Sequence, residues 1–146
     1  MDIAGLIKSL NEHRVKFVII GAVAFPVHGY ARATFDIDIF ISPDQENAVK
    51  TWQALKAFGY DMNDLTIDNL LTKKLLIRQY ALDTDIHPFV KGVTFNGVWR
   101  RKVRTRFGRT AAYAASLADL IKMKRAAGRG KDREDLRYLL RLRKRA

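Results

Sequence analysis

Apolar positions recur with helical spacing at the start of the chain, where Ile3, Leu6, Ile7 and Leu10 fall on one face and predict a helix over Asp2 to Arg14. Val15 to Ile20 is short, β-branched and continuously apolar, the pattern of a buried strand. Gly21 turns the chain into a short helix over Ala22 to His28, which Gly29 ends and Pro26 shortens or kinks. Phe35 to Ile41 reads as a second strand. Ser42-Pro43-Asp44-Gln45 then supplies an N-cap, a first-turn proline and a capping-box glutamine for a helix reaching Phe58, before Gly59.

Beyond it, Asn63 to Leu71 predicts a helix, and Leu75 to Tyr80 and Leu82 to Val90 predict strand segments with no clear turn between them. A short helix over Phe95 to Lys102 precedes an extended stretch ending near Ala114. Ser116 starts a helix that Gly128 stops, and a last helix runs from Lys131 toward Arg143 with Leu136, Leu139 and Leu140 facing inward. The mixture predicts an α/β or α+β domain, a mixed sheet flanked by helices.

At 146 residues the chain suits one domain, 1–146. No apolar run approaches the roughly 20 residues of a membrane span. Met1-Asp2-Ile3-Ala4 has neither the basic start nor the apolar stretch of a signal peptide. The absence of cysteine excludes disulfides and thiolate zinc sites and fits a cytoplasmic protein. Charge divides the chain more sharply than hydropathy does. Residues 1–90 carry 9 Lys/Arg against 11 Asp/Glu, whereas residues 91–146 carry 18 against 4. The expectation is a near-neutral sheet core holding an acidic site, followed by a basic, mainly helical part that meets a polyanion such as RNA.

Four segments carry candidate chemistry. The Gly21 turn points free backbone N–H groups at a helix start, where an anion is stabilised. Asp36 and Asp38 alternate with Ile37, Ile39 and Ile41, so both carboxylates share one strand face; such oxygen ligands suit Mg²⁺ or Mn²⁺. Asp83, Asp85 and His87 share a face of a later strand. Either aspartate would serve as a third acid that takes a proton, and His87 reads as a strand-edge polar residue rather than a ligand. The segment Lys124 to Asp135 joins two helices through a Gly-rich turn dense in phosphate-suited cations, with Asp132 and Asp135 orienting those cations or capping the last helix.

Together these segments resemble the nucleotidyltransferase superfamily of the polymerase-beta type and, within it, bacterial proteins grouped with the AbiE-type abortive-infection toxins. The first motif of that family, a glycine followed by glycine or serine, a spacer and Asp-x-Asp, corresponds to Gly21-Ala22 and Asp36-Ile37-Asp38. Its later pattern, a helical Lys and then Gly-Arg-x-Lys-Asp-x-x-Asp, is similar to Lys124, Gly128, Arg129, Lys131, Asp132 and Asp135. The likeness spans roughly residues 15–140.

The resemblance implies a nucleotidyltransferase fold in which Asp36, Asp38 and Asp85 are catalytic and hold Mg²⁺ or Mn²⁺, with Asp83 in reserve. It places an NTP against Gly21, Ala22, Arg32, Thr34, Lys124, Arg129 and Asp132. An acceptor hydroxyl, on RNA (tRNA among them) or on protein, would attack the α-phosphorus. It also implies a cognate toxin or antitoxin partner. Ala22 departs from the family pattern: it keeps the N–H but lacks a serine hydroxyl and adds a Cβ relative to glycine.

Overall fold

The computed structural model describes residues 2–145. Helix α1 (Ile3–Glu12) is capped by Asp2, whose side chain accepts from the Gly5 N–H. It ends before Arg14, which adopts a left-handed backbone at φ 57°, two residues short of the predicted end. Strand β1 (Phe17–Ile20) follows, entirely buried. The segment Gly21–His28 is a 3₁₀ helix rather than an α-helix, with Pro26 inside it and Gly29 closing it at φ 100°. Pro26 has no N–H to offer an α-type ladder. Strand β2 is Asp36–Ile41 and helix α2 is Gln45–Phe58.

The cap of α2 differs from expectation. Asp44, not Ser42, is the N-cap, accepting from the Asn47 N–H at 2.9 Å, while Ser42 donates its hydroxyl to Asp44. Both are good capping residues, and Asp44 leaves Pro43 outside the helix. Asn47 is buried and binds the backbone of Lys16 and Ser42, which locks the entry of β1 to the exit of β2. The helix expected over 63–71 shrinks to α3 (Asn69–Thr72). Thr66 and Asn69 there exchange side chain–backbone hydrogen bonds, an alternative to the helical ladder.

Strands β3 (Leu75–Ile77) and β4 (Asp83–His87) form a hairpin; β3 starts where predicted but stops before Arg78, and β4 ends at His87 rather than Val90. Helix α4 is Phe95–Arg100. The extended stretch after it is two strands, β5 (Val103–Phe107) and β6 (Thr110–Ala114), turned at Gly108-Arg109 with Gly108 at φ 62°. The sheet therefore is not confined to residues 1–90; the basic part contributes two strands to it. Helix α5 (Leu117–Ala127) is capped by Ser116 and ends at a left-handed Gly128, and α6 spans Asp132–Arg145.

The six strands form one mixed sheet flanked by helices, in the order β3-β4-β2-β1-β6-β5. Strands β2 and β4 are parallel neighbours in the middle, and β1 is antiparallel to β2 and parallel to β6. Ile37, Ile39 and Ile41 are fully buried on one face of β2. On the other face Phe40 meets Phe95 of α4 edge-on at 5.2 Å, so α4 closes that face behind Asp36 and Asp38. Among the described residues, no helix is long and apolar enough to cross a membrane.

Candidate active site

Gly21 leaves β1 at φ 70°, a conformation that side chains other than glycine rarely adopt. Its neighbour across the sheet is the Ile20–Asp38 pair, and a Cβ at Gly21 would collide with the Asp38 carboxylate. Glycine is thus required both by backbone and by the close approach of an acid. Gly21→Ala is expected to cost at least about 1–2 kcal/mol from the backbone alone and to displace Asp38. Urea midpoints check this; an unchanged midpoint would mean that the turn relaxes freely.

The parallel register pairs Asp36 with Asp83 and Asp38 with Asp85. Asp85 is buried and lines a cleft of about 900 Å³ at the end of the central strands; Asp83 does not line it. Asp38, Asp85 and His87 each bring one ligand atom to within 4.8 Å of the others. His87 is therefore part of the acidic cluster, with its Nε2 at 2.8 Å from Asp38 Oδ1. Alternation along β4 already placed it on that face; what the sequence could not give is the register that sets β4 beside β2. Asp36 lines the same cleft but falls outside this trio, and it accepts a hydrogen bond from the Thr34 hydroxyl. Thr34 itself lies outside the cleft lining and positions Asp36.

The carboxylates differ in how they are compensated. Arg78 reaches Asp85 at 2.7 Å and Asp83 at 3.5 Å from the β3–β4 hairpin. Asp36 and Asp38 have no Lys or Arg within ion-pair distance among the described residues. Oxygen donors without a direct Lys or Arg partner, beside an imidazole, fit a divalent cation.

The opposite wall is cationic and ordered. Asp132 and Asp135, both buried at the start of α6, gather the cations that the sequence singled out. Lys124 of α5 binds Asp132 at 2.9 Å and Asp135 at 3.1 Å. Arg129 binds Asp132 at 2.7 Å, and Arg32 grips Asp135 through two nitrogens at 2.9 and 3.0 Å. Burial alone would push both carboxyls up. The hydrogen bonds from Arg129 and Lys124 to Asp132, and from Arg32 and Lys124 to Asp135, outweigh it and lower both carboxyls, Asp132 well below the usual carboxylate range.

Tyr30 completes the network by donating to Asp135 at 3.0 Å; burial and that hydrogen bond push its phenol up to about 12. Tyr30, in the spacer between Gly21-Ala22 and Asp36, was not among the expected site residues, whereas Asp135 orients cations as its place in the Lys124–Asp135 segment suggested.

Every expected site residue except Thr34 lines the one cleft: Gly21, Ala22, Arg32, Asp36, Asp38, Asp85, Lys124, Arg129 and Asp132. Three further lysines, Lys74, Lys91 and Lys131, also line it and have no carboxylate in ion-pair distance among the described residues. The first turn of the 3₁₀ helix has no side-chain cap, so the backbone N–H groups there are available to an anion. No protein-family model and no curated protein sequence matches the chain; the functional reading stands on its residues and their arrangement.

Proposed function

We propose that the chain is a Mg²⁺- or Mn²⁺-dependent nucleotidyltransferase that moves a nucleotide from an NTP to an acceptor hydroxyl on RNA. One observation carries the reading. Asp36 and Asp38, without a direct Lys or Arg ion pair, share a cleft with Asp85, with an uncapped 3₁₀-helix start and with an ordered Lys/Arg wall. A site that must hold both cations and a polyphosphate needs these opposed charges within one opening.

Asp36, Asp38 and Asp85, with His87 beside them, would hold the cation. When bound, it neutralises phosphate oxygens and stabilises charge on the attacking and leaving oxygens. The backbone N–H groups at Gly21-Ala22 would seat phosphate oxygens, and Lys124 and Arg129 would face the departing pyrophosphate. Arg78 occupies one oxygen of Asp85; the other is the acceptor for the hydroxyl proton. The acceptor oxygen then bonds to the α-phosphorus while the bond to the β-phosphate oxygen breaks, and pyrophosphate leaves with that electron pair. The basic part of the chain favours RNA as acceptor. The reading includes a toxin-like role in the cytoplasm, with a cognate toxin or antitoxin as partner.

A specific observation supports a second reading. Arg32, Lys124 and Arg129 are all engaged by Asp132 and Asp135, as in a wall that serves structure rather than phosphate. On that reading the chain is a non-catalytic nucleic-acid or partner-binding module. Incubation with α-³²P- and γ-³²P-labelled NTPs, Mg²⁺ or Mn²⁺ and cellular RNA separates the two. Transfer is expected to label RNA from the α position only. Label appearing on protein instead would mark an antitoxin-like enzyme acting on a partner. No label from any of the four NTPs, with RNA still bound, would leave the binding module.

A further inference from the structure

Beside the cleft lies a second depression of about 500 Å³, between the Gly29–Arg32 segment and α6. Its α6 wall includes Glu134, Tyr138, Arg141 and Arg145, spaced so that they fall on one face of the helix. Tyr30, Arg32 and Glu134 line both depressions, so the groove is continuous with the cleft.

Its floor is an aromatic stack anchored in the core. Phe25, fully buried, stacks on Tyr30 at 5.4 Å, and Tyr30 stacks on Tyr138 at 4.6 Å with the rings 7° from parallel. The outermost ring, Tyr138, is 40% exposed, and the Arg141 guanidinium lies over it at 5.5 Å. The stack is held from behind, because Tyr30 also donates to the buried Asp135. Arg141 and Arg145 are exposed and have no carboxylate in ion-pair distance among the described residues. A preordered, half-exposed ring with unpaired arginines on the same helix face matches the two needs of an unpaired nucleotide, a surface for its base and cations for its phosphates. An acidic peptide would use the arginines and leave the ring idle.

We infer that this groove receives the unpaired end of a single-stranded polynucleotide, a base stacking on Tyr138 in the place the Arg141 guanidinium takes in the free protein, and the flanking phosphates resting on Arg145 and on Arg141 turned off the ring. The inference rests on the transferase reading only in sending the terminal hydroxyl of the strand on into the cleft. The groove's own binding needs neither NTP nor metal.

The test is fluorescence anisotropy of a labelled 12-nucleotide single-stranded RNA with the full chain, in EDTA and without NTP. Tyr138→Ala is expected to weaken binding about tenfold and Tyr138→Phe to leave it unchanged, because stacking needs the ring and not the hydroxyl. Arg141→Ala/Arg145→Ala is expected to lower the slope of log affinity against log salt by about 1.4, at about 0.7 for each phosphate contact on a single strand. Both arginines are exposed, so this pair reports even if Tyr138→Ala loosens the stack. A duplex of the same length is expected to bind more weakly.

Wild-type affinity and salt slope in the arginine pair would overturn the assignment. So would a polyglutamate peptide that competes as well as RNA and is indifferent to Tyr138, which would give the groove to an acidic protein. Label transfer to RNA that persists in variants with normal RNA binding sinks the groove and spares the transferase. Groove binding that survives without any label transfer does the reverse.

Discussion

Asp36→Asn is expected to abolish label transfer, by a factor of about 10² to 10³ or more, while leaving the protein as stable as before or more so in EDTA. The two effects go in opposite directions because one carboxylate has two relationships. To a cation it contributes charge that stabilises the reacting phosphate. To Asp38, about 7 Å along the same strand face, it is a like charge, and neither has a Lys or Arg within ion-pair distance among the described residues. At that separation, with the effective dielectric of a partly open site, the repulsion is about 1 kcal/mol.

Asparagine keeps the oxygen that accepts from Thr34, so the local hydrogen bond survives the change. The melting temperature in EDTA should rise by roughly 2–4 °C. Millimolar Mg²⁺ should then stabilise the wild type, since a ligand of the folded state raises its stability by mass action, and should stabilise the variant much less. A variant that melts well below the wild type in EDTA would show that Asp36 is a structural residue. Equal Mg²⁺ stabilisation of the two proteins would remove the cation from this site.

How far the sequence reached is clearest at three places. The alternation Asp36-Ile37-Asp38-Ile39 dictates which face each side chain takes, and the structure follows it, with the isoleucines buried and the carboxylates lining the cleft. The same rule put Asp85 and His87 on one face of β4. That β4 lies parallel to β2, in the register that sets Asp85 against Asp38, is a long-range fact that no local pattern contains. In the basic part the extended stretch up to Ala114 was legible, but its division into two strands was not. Arg104 and Arg106 project from β5, so the hairpin with β6 lacks an apolar alternation of the usual strength and only Gly108 marks its turn.

The Lys124–Asp135 segment shows the limit of composition. Its cations and acids were legible, but their pairing was not. Asp132 sits with Lys124 and Arg129, and Asp135 reaches back more than a hundred residues to Arg32 and Tyr30. That last contact ties the spacer before Asp36 to the final helix, so both sides of the cleft are set by one buried carboxylate.

Asp132→Ala tests whether this wall is held by charge. Asp132 is 2% exposed and accepts from Lys124 Nζ, from the Arg129 side chain and from the Arg129 backbone N–H. Removing one partner from a buried ion pair costs about 3–5 kcal/mol. The expected loss here is nearer 2–3 kcal/mol, because Lys124 retains Asp135 at 3.1 Å and the half-exposed Arg129 turns to water. The effect should depend on pH with a definite sign. The folded-state carboxyl lies below its unfolded value of about 3.9, so its contribution is complete above that value. It fades as pH falls from about 4 toward the lower folded value, where the folded protein takes up the proton as well. Urea unfolding at pH 7 and at pH 3 should therefore show the wild type losing more stability on acidification than Asp132→Ala, and the gap between them narrowing. A gap of the same size at both pH values would mean that Asp132 stabilises α6 by packing and capping. Lys124 and Arg129 would then owe their placement to the helices that carry them, and the variant should keep an intact phosphate wall and near-normal NTP binding.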